Sequence, residues 1–261
     1  MDKLGERLAG SESISDEDYA LLAQVAGAYQ AALDQVEARL RQLGFQATTR
    51  VKTTGTLVDK LRREHGLKLK AIHDLAGARI VIDGGRLEQD RATVRILGEF
   101  AGPKNPIKKD RRTTPSFGYR AVHVIVFVES IPVEIQVRTR LQDGWAQTVE
   151  ALGDRWGRGL RYGAGPGEPG APAGLIFPPS WTRSQVVEAL LDIAVQIDTL
   201  ESVQREMQQL KEDIEELDPE DETNLRDRVD QRSRELSIAA NGLQAGLDRL
   251  TRDLGTQGDT R

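Results

Sequence analysis

Between Val133 and Thr139 the sequence reads "VEIQVRT", with Val133, Ile135 and Val137 alternating with Glu134, Gln136 and Arg138. Successive side chains of a strand point to opposite faces, so the three polar groups line one side of a strand with an apolar back. An acid, an amide and a guanidinium in a row suit the wall of a site for a charged ligand better than a core. The run before it, "GYRAVHVIVFV", brings Tyr119 to the mouth of a first hairpin strand and His123 onto the same face. Tyr119 offers a flat ring to a base. Asp74 precedes the apolar run "GARIVI", and Glu134 sits mid-strand in the hairpin. Two carboxylates on neighbouring strands can hold Mg2+, a hard cation that prefers oxygen ligands and bridges to substrate phosphates.

The distribution of charge supports a polyphosphate ligand. The net charge is −5, yet two segments are strongly basic. Arg50, Lys52, Lys60, Arg62, Arg63, Lys68 and Lys70 face only Asp59 and Glu64 in the first. Lys104, Lys108, Lys109, Arg111, Arg112 and Arg120 face only Asp110 in the second. Basic segments in an acidic protein are ordinarily solvated helix faces. Two that flank one predicted sheet point instead to phosphate binding. No Gly-rich Walker loop is present, so side chains rather than a backbone cradle would hold the phosphates.

Several elements must position these groups. "SISDEDYALLAQVAGAYQAALDQVEARLRQLG" has a Ser-rich cap, acids in its first turn and apolar residues at helical spacing, closed by Gly44. "TTRVKTTGTLVDKLRREHG" reads as an extended piece running into a basic helix, "AIHDLAGARIVID" as a turn and buried strand, and "LEQDRATVRILGEF" as a helix. "AGPKNPIKKDRRTTPSFG" is rich in Pro, Lys and Arg and reads as a loop. The hairpin and a helix from about Leu141 to Leu152 follow. Helices interleaved with few strands give an α/β or α+β class around a small mixed sheet flanked by helices, and α+β is the expectation.

After the Gly/Pro-rich "RYGAGPGEPGAPAGLIFPPS" the pattern changes. Apolar residues fall at Leu190, Ile193, Ile197, Leu200, Val203, Met207, Leu210, Ile214 and Leu217, a coiled-coil seam that "LDPEDETN" interrupts. A second seam runs through Leu225, Val229, Leu236, Leu243, Leu247, Leu250 and Leu254. The expected organisation is a catalytic domain over 1–162, a linker over 163–180, an antiparallel helical hairpin over 181–255 and a disordered tail over 256–261. Two helices packed only on each other would leave Val186, Val187 and Ile238 partly wet. The hairpin is therefore expected to dock on the catalytic domain or, as a homo-oligomer, on a second copy.

Composition removes other classes. There are no cysteines, hence no disulfide or thiolate metal site, and only three histidines, too few for a histidine-built cluster. The N-terminus has no apolar signal core, and no run reaches the roughly 18 apolar residues of a membrane span. A cytoplasmic protein without membrane contact is the expectation.

The pieces "RVKTTGTLVDKL", "IHDLAGARIVI", "FGYRAVHVIV" and "VEIQVRT" followed by "WAQTVEAL" occur in one order over roughly residues 45–160. In that order they resemble the synthetase domain of the RelA/SpoT family, which transfers pyrophosphate from ATP to the ribose 3′-hydroxyl of a guanine nucleotide. The long helix from Arg183 is similar to the C-terminal helix of the small members. The resemblance implies a nucleotidyltransferase-like fold and roles for matched positions. Arg50 and Arg79 would sandwich the adenine of ATP, with Lys52 and Lys60 on its phosphates. Asp74 and Glu134 would bind Mg2+, with Glu134 near the attacking hydroxyl. Tyr119 would stack on the acceptor base, His123 and Gln136 would help position the acceptor, and Arg138 would support the site. Singly, each has an ordinary reading: Asp74 as a turn residue, Glu134 as an exposed strand position, Tyr119 as core, Arg50 and Lys52 as surface charge. The metal-dependent hydrolase module of longer relatives needs more ligands than three histidines allow, so hydrolase activity is not expected.

One departure bears on the acceptor. Many alarmone synthetases carry a Lys and an Asn just before the Gly-Tyr, where this chain has Ser116 and Phe117. A grip on the acceptor's 5′ phosphates is thus missing, and Arg111, Arg112 or Arg120 could replace it. Three readings remain: alarmone synthesis on a guanine nucleotide, pyrophosphorylation of the tRNA 3′ end as in toxin-type members, and a non-catalytic interaction protein built on the hairpin.

Overall fold

Ser15 caps the helix α1 (Asp16–Gln42) by accepting a hydrogen bond from the Asp18 amide at 3.2 Å. Asp16, Glu17 and Asp18 at its start and Arg39 and Arg41 at its end complement the helix dipole. Leu22, Tyr29, Ala32, Leu33, Val36 and Leu40 bury one stripe, and Gly44 takes the left-handed conformation (φ 83°) that ends it. The structure, a computed structural model, describes residues 4–5, 7–8, 15–52, 75–157, 159–160, 181–214 and 219–256. Lys60, Asp74, the basic helix expected after Lys52, the Gly/Pro linker and the expected tail beyond Thr256 lie outside the described residues, while Thr256 itself ends a helix rather than opening a tail.

The remaining elements are β1 (Ala47–Val51), β2 (Ala76–Ile82), α2 (Arg86–Glu99), β3 (Ile107–Asp110), β4 (Val122–Val128), β5 (Ile131–Thr139), α3 (Arg140–Trp156), α4 (Arg183–Ile214) and α5 (Pro219–Thr256). The strands form one sheet in the order β1-β2-β5-β4-β3. The expected α+β class with a small sheet and flanking helices is what the chain adopts. β3 is a correction: it lies within the stretch read as a loop. It is a short, largely exposed edge strand carrying Lys108 and Lys109, and period-2 apolar patterning is not needed where neither face is buried.

By contacts the chain divides into two compact units. The first is Met1–Val81, Ala92–Lys109 and Val122–Val137, and the second Ile82–Arg91, Asp110–Ala121 and Arg138–Arg261. In the first, β1 pairs antiparallel with β2 and β4 with β5, and α1 packs on β1 and β4. Val122, Val124, Val126, Val133, Ile135 and Val137 are completely buried. The two-residue turn of the β4–β5 hairpin places Glu129 (φ 48°) and Ser130 (φ 72°) in the left-handed region, the geometry that matches strand twist.

In the second unit α4 and α5 form the expected antiparallel hairpin. Gln204 Nε2 donates to the Leu236 carbonyl at 3.5 Å, and Lys211 pairs with Asp230 at 2.6 Å. Their apolar seams close on α3. Leu141, Trp145, Val149 and Leu152 are buried together with Leu190, Ala194, Ile197, Leu247 and Leu254. Val186, which a hairpin packed only on itself would leave partly wet, is 1% exposed in this core, because α3 covers the stripe beside the seam. Ile238 is not covered in this way and is 72% exposed.

Candidate active site

In the first unit the polar strand face gathers five of the candidate residues. On β2, Ala76, Ala78 and Ile80 are buried, while Gly77 and Arg79 take the more open side. Register pairs Arg50 with Gly77 and Thr48 with Arg79, so the two arginines are diagonal neighbours on one face of β1 and β2. Gly77 leaves open the space between them. An added Cβ there would reach ordinary contact, 3.7 Å, with the Glu134 carbonyl on β5.

Glu134 and Gln136 alternate with the buried Val133, Ile135 and Val137. On β4, His123 lies opposite Gln136. The Glu134 carboxylate is the hub: Oε1 lies 2.9 Å from His123 Nδ1, and Oε2 accepts from Gln136 Nε2 at 3.1 Å. All three are partly buried, so the carboxylate is oriented yet reachable. Lys52 follows β1, its amide donating to the Leu75 carbonyl at 2.8 Å. It also lines a small cleft with Leu22, Tyr29 and Val51. Leu75 is the residue after Asp74, so the backbone at this edge of the sheet is tied to the start of β2.

The second unit holds Tyr119, Arg120 and Arg138. Ser116 to Tyr119 form a tight turn, closed by the Tyr119 amide on the Ser116 carbonyl at 3.0 Å, with Phe117 (φ 49°) and Gly118 (φ 82°) left-handed. Arg138 is 3% exposed, donates to the Tyr119 hydroxyl at 3.2 Å and to Asp143 at 2.9 Å, and lies 5.1 Å from the Tyr119 ring centroid. Burial opposes its charge, but Tyr119 and Asp143 outweigh burial, so its pKa is raised. Arg138 therefore supports the tyrosine. Of the basic residues that could replace the missing lysine, Arg112 pairs with Asp90 (2.7 Å) and Asp110 (2.6 Å). Burial disfavours its charge and these two acids more than restore it, raising its pKa. Arg120 pairs with Asp198 at 3.1 Å. Arg111 is exposed.

Sequence reasoning missed a buried polar network in this unit. Glu201 on α4 is 1% exposed, accepts from Gln142 Nε2 at 2.7 Å and Arg86 Nε at 3.3 Å, and takes the Thr139 hydroxyl. Gln89, fully buried, donates to Gln142 at 2.8 Å and accepts from Arg112 at 3.0 Å. Thr139 and Gln142 form a capping box at the start of α3. That "TRLQ" spacing was the available signal. Nothing in a coiled-coil pattern marks Glu201 as a buried anchor.

Residues 49–152 match the model of the region found in RelA / SpoT proteins. This segment is a RelA/SpoT-family domain. It runs from β1 through most of α3 and contains every described candidate. Uncharacterized proteins of Mycobacterium bovis and Mycobacterium tuberculosis are 46% identical over 115 residues, 44% of this chain. The match spans 42% of the length of those curated relatives. The small alarmone synthetase 1 from Bacillus subtilis is 20% identical, with 75% of this chain and 98% of that one covered, at a TM-score of 0.53. The same protein bound to its product pppGpp gives 18% identity, coverage of 72% and 97%, and a TM-score of 0.54. At such identities the likeness is one of fold, and the RelA/SpoT-family domain here shares it.

Proposed function

We propose that this chain is a Mg2+-dependent pyrophosphokinase that transfers pyrophosphate from ATP to the ribose 3′-hydroxyl of a guanine nucleotide, making a (p)ppGpp-type product. The observation that carries the reading is the Glu134 hub: a reachable carboxylate held by His123 and Gln136 in the sheet that also carries Arg50 and Arg79. Arg50 and Arg79 would hold the adenine, and Lys52 with Lys60 the phosphates. Tyr119, Arg120, His123 and Gln136 would orient the acceptor. The 3′-oxygen bonds to the β-phosphorus, the bond from the α-phosphoryl bridge breaks, and AMP leaves. Glu134, beside the hydroxyl, would hold its proton as it is lost. Hard carboxylate oxygens fit Mg2+, with Glu134 and Asp74 as its ligands, and the bound ion would supply charge neutralisation across the phosphates. Catalysis of this kind is alignment and electrostatics rather than covalent chemistry.

The test is purified protein with ATP labelled in its terminal phosphates, Mg2+, and each of GMP, GDP, GTP and the adenine nucleotides. Labelled guanosine product and released AMP are expected; no transfer to any nucleotide overturns the reading. A specific observation favours a second acceptor, the tRNA 3′ end. The lysine of the acceptor loop is absent, and Arg112 and Arg120, two of its three possible replacements, are held by acids. Label appearing in tRNA and not in small nucleotides decides for it. Self-association through the C-terminal helices belongs to the same proposal, supported by Val195 and Ile238, which remain exposed on α4 and α5.

No described helix is long and apolar enough to cross a membrane. The cytoplasmic location is accordingly proposed with the rest.

A further inference from the structure

The turn that carries Tyr119 is built against α4, outside the segment that matches the RelA/SpoT region. Gly118 lies so close to the Trp145 ring that an added Cβ would stand 2.7 Å from it and 3.2 Å from Ala194 of α4. The Trp145 indole donates to the Leu190 carbonyl, also on α4, at 2.7 Å. The next residue, Arg120, has a side chain only 10% exposed; it donates to the Gly118 carbonyl at 3.2 Å and places its Nε 3.1 Å from Asp198 Oδ1. That contact lacks hydrogen-bond alignment and is an ion pair. The same Asp198 oxygen receives Arg86. One carboxylate therefore lies between two poorly solvated guanidiniums.

We propose that Asp198 is a positioning residue for acceptor binding: its charge holds Arg120, and through Arg120 the strained turn that presents Tyr119. This deepens the reading of Tyr119 as the acceptor-base platform and rests on it. Low solvation makes the pair strong and its loss disruptive. With Asp198 neutral, Arg86 keeps Glu201 while Arg120 loses its acid and is left beside the Arg86 guanidinium. Arg120 then swings away from the Gly118 carbonyl, and Phe117, held at an unfavourable φ, relaxes toward ordinary backbone. The tyrosine ring loses its fixed orientation. Arg50 and Arg79 lie on β1 and β2 and take no part in this contact.

The experiment uses the full-length protein with Asp198→Asn and Asp198→Glu, titrated with GDP and separately with a non-hydrolysable ATP analogue, with amide hydrogen exchange across residues 116–121. The expected result for Asp198→Asn is a loss of GDP affinity of about tenfold, an ATP-analogue affinity within about twofold, and faster exchange in that segment. Asp198→Glu, which keeps the carboxylate, should recover most of the GDP affinity. Unchanged exchange at 116–121, or equal losses for both nucleotides, overturns the proposal. A wild-type protein that binds no GDP overturns the acceptor assignment and this proposal's role in it. Faster exchange in the asparagine variant would then show the contact holding the turn without serving that nucleotide.

Discussion

Arg138 lies beneath Tyr119, donating to its hydroxyl at 3.2 Å while its other arm reaches Asp143. Tyr119 is thus tied by a buried guanidinium to the first turn of α3. Tyr119→Ala is expected to weaken guanine-nucleotide affinity by about 1–3 kcal/mol, the usual worth of one stacked base. Tyr119→Phe keeps the ring and should cost far less in affinity. Its price appears in stability, since Arg138 loses an acceptor. Nucleotide titration and thermal melts of both variants check this, and equal affinity losses would count against stacking.

Glu134→Gln keeps the shape of the hub but removes its charge. Transfer should fall by at least about a hundredfold, the scale of losing one electrostatic contributor at a reacting centre. The melting temperature should move little, because the residue is partly exposed and glutamine keeps its size and polarity. Initial rates at saturating ATP and acceptor, beside a melt, test both halves.

Gly118→Ala asks an L-residue to adopt φ 82° with its Cβ 2.7 Å from the Trp145 ring. The backbone alone costs about 1–2 kcal/mol, and the clash adds to it. A fall of at least about 2–4 °C in melting temperature is expected in a chain of this size. Scanning calorimetry measures it.

Deleting residues 181–261 should not yield a well-behaved smaller enzyme. Leu141, Trp145, Val149 and Leu152 would lose the surface that buries them. At about 1.5–3 kcal/mol for each large side chain, the loss rivals the whole net stability of a domain, about 5–15 kcal/mol. Aggregation or strong binding of a hydrophobic dye is the expected outcome. A soluble, cooperatively melting fragment would show that the helices are an accessory.

The Asp230 carboxyl is held below the ordinary carboxylate range, chiefly by its bond to Lys211 across the hairpin. A depressed native pKa adds stability above the unfolded value, and that contribution is lost as pH falls through the native pKa. Asp230→Asn should therefore melt lower than wild type near neutral pH, with the gap closing in acid below the usual carboxylate range. Because the pair is exposed, salt should shrink the gap as well. Melts over a pH and salt series test it.

Much of the site was legible because it follows rules of period and composition. The alternation Val133-Glu134-Ile135-Gln136-Val137 put the acid and amide on one face, and that face is where Glu134 meets His123 and Gln136. The exposed strand β3 was illegible for the opposite reason: with neither face buried, nothing selects a period-2 pattern.

By itself, the sequence determined the α+β class, the α1 cap and stop, the β4–β5 hairpin, the two helical seams and the family of residues 49–152. Local propensity and side-chain period act within a few residues, so a linear reading captures them. The tertiary structure alone decided what covers the hairpin seams, which groups hold Arg138, and which acids engage Arg112 and Arg120. Asp198 and Glu201 stand more than fifty residues from Arg120 and Thr139. Burial makes such charge pairs matter, and burial is a property of packing that no local pattern encodes.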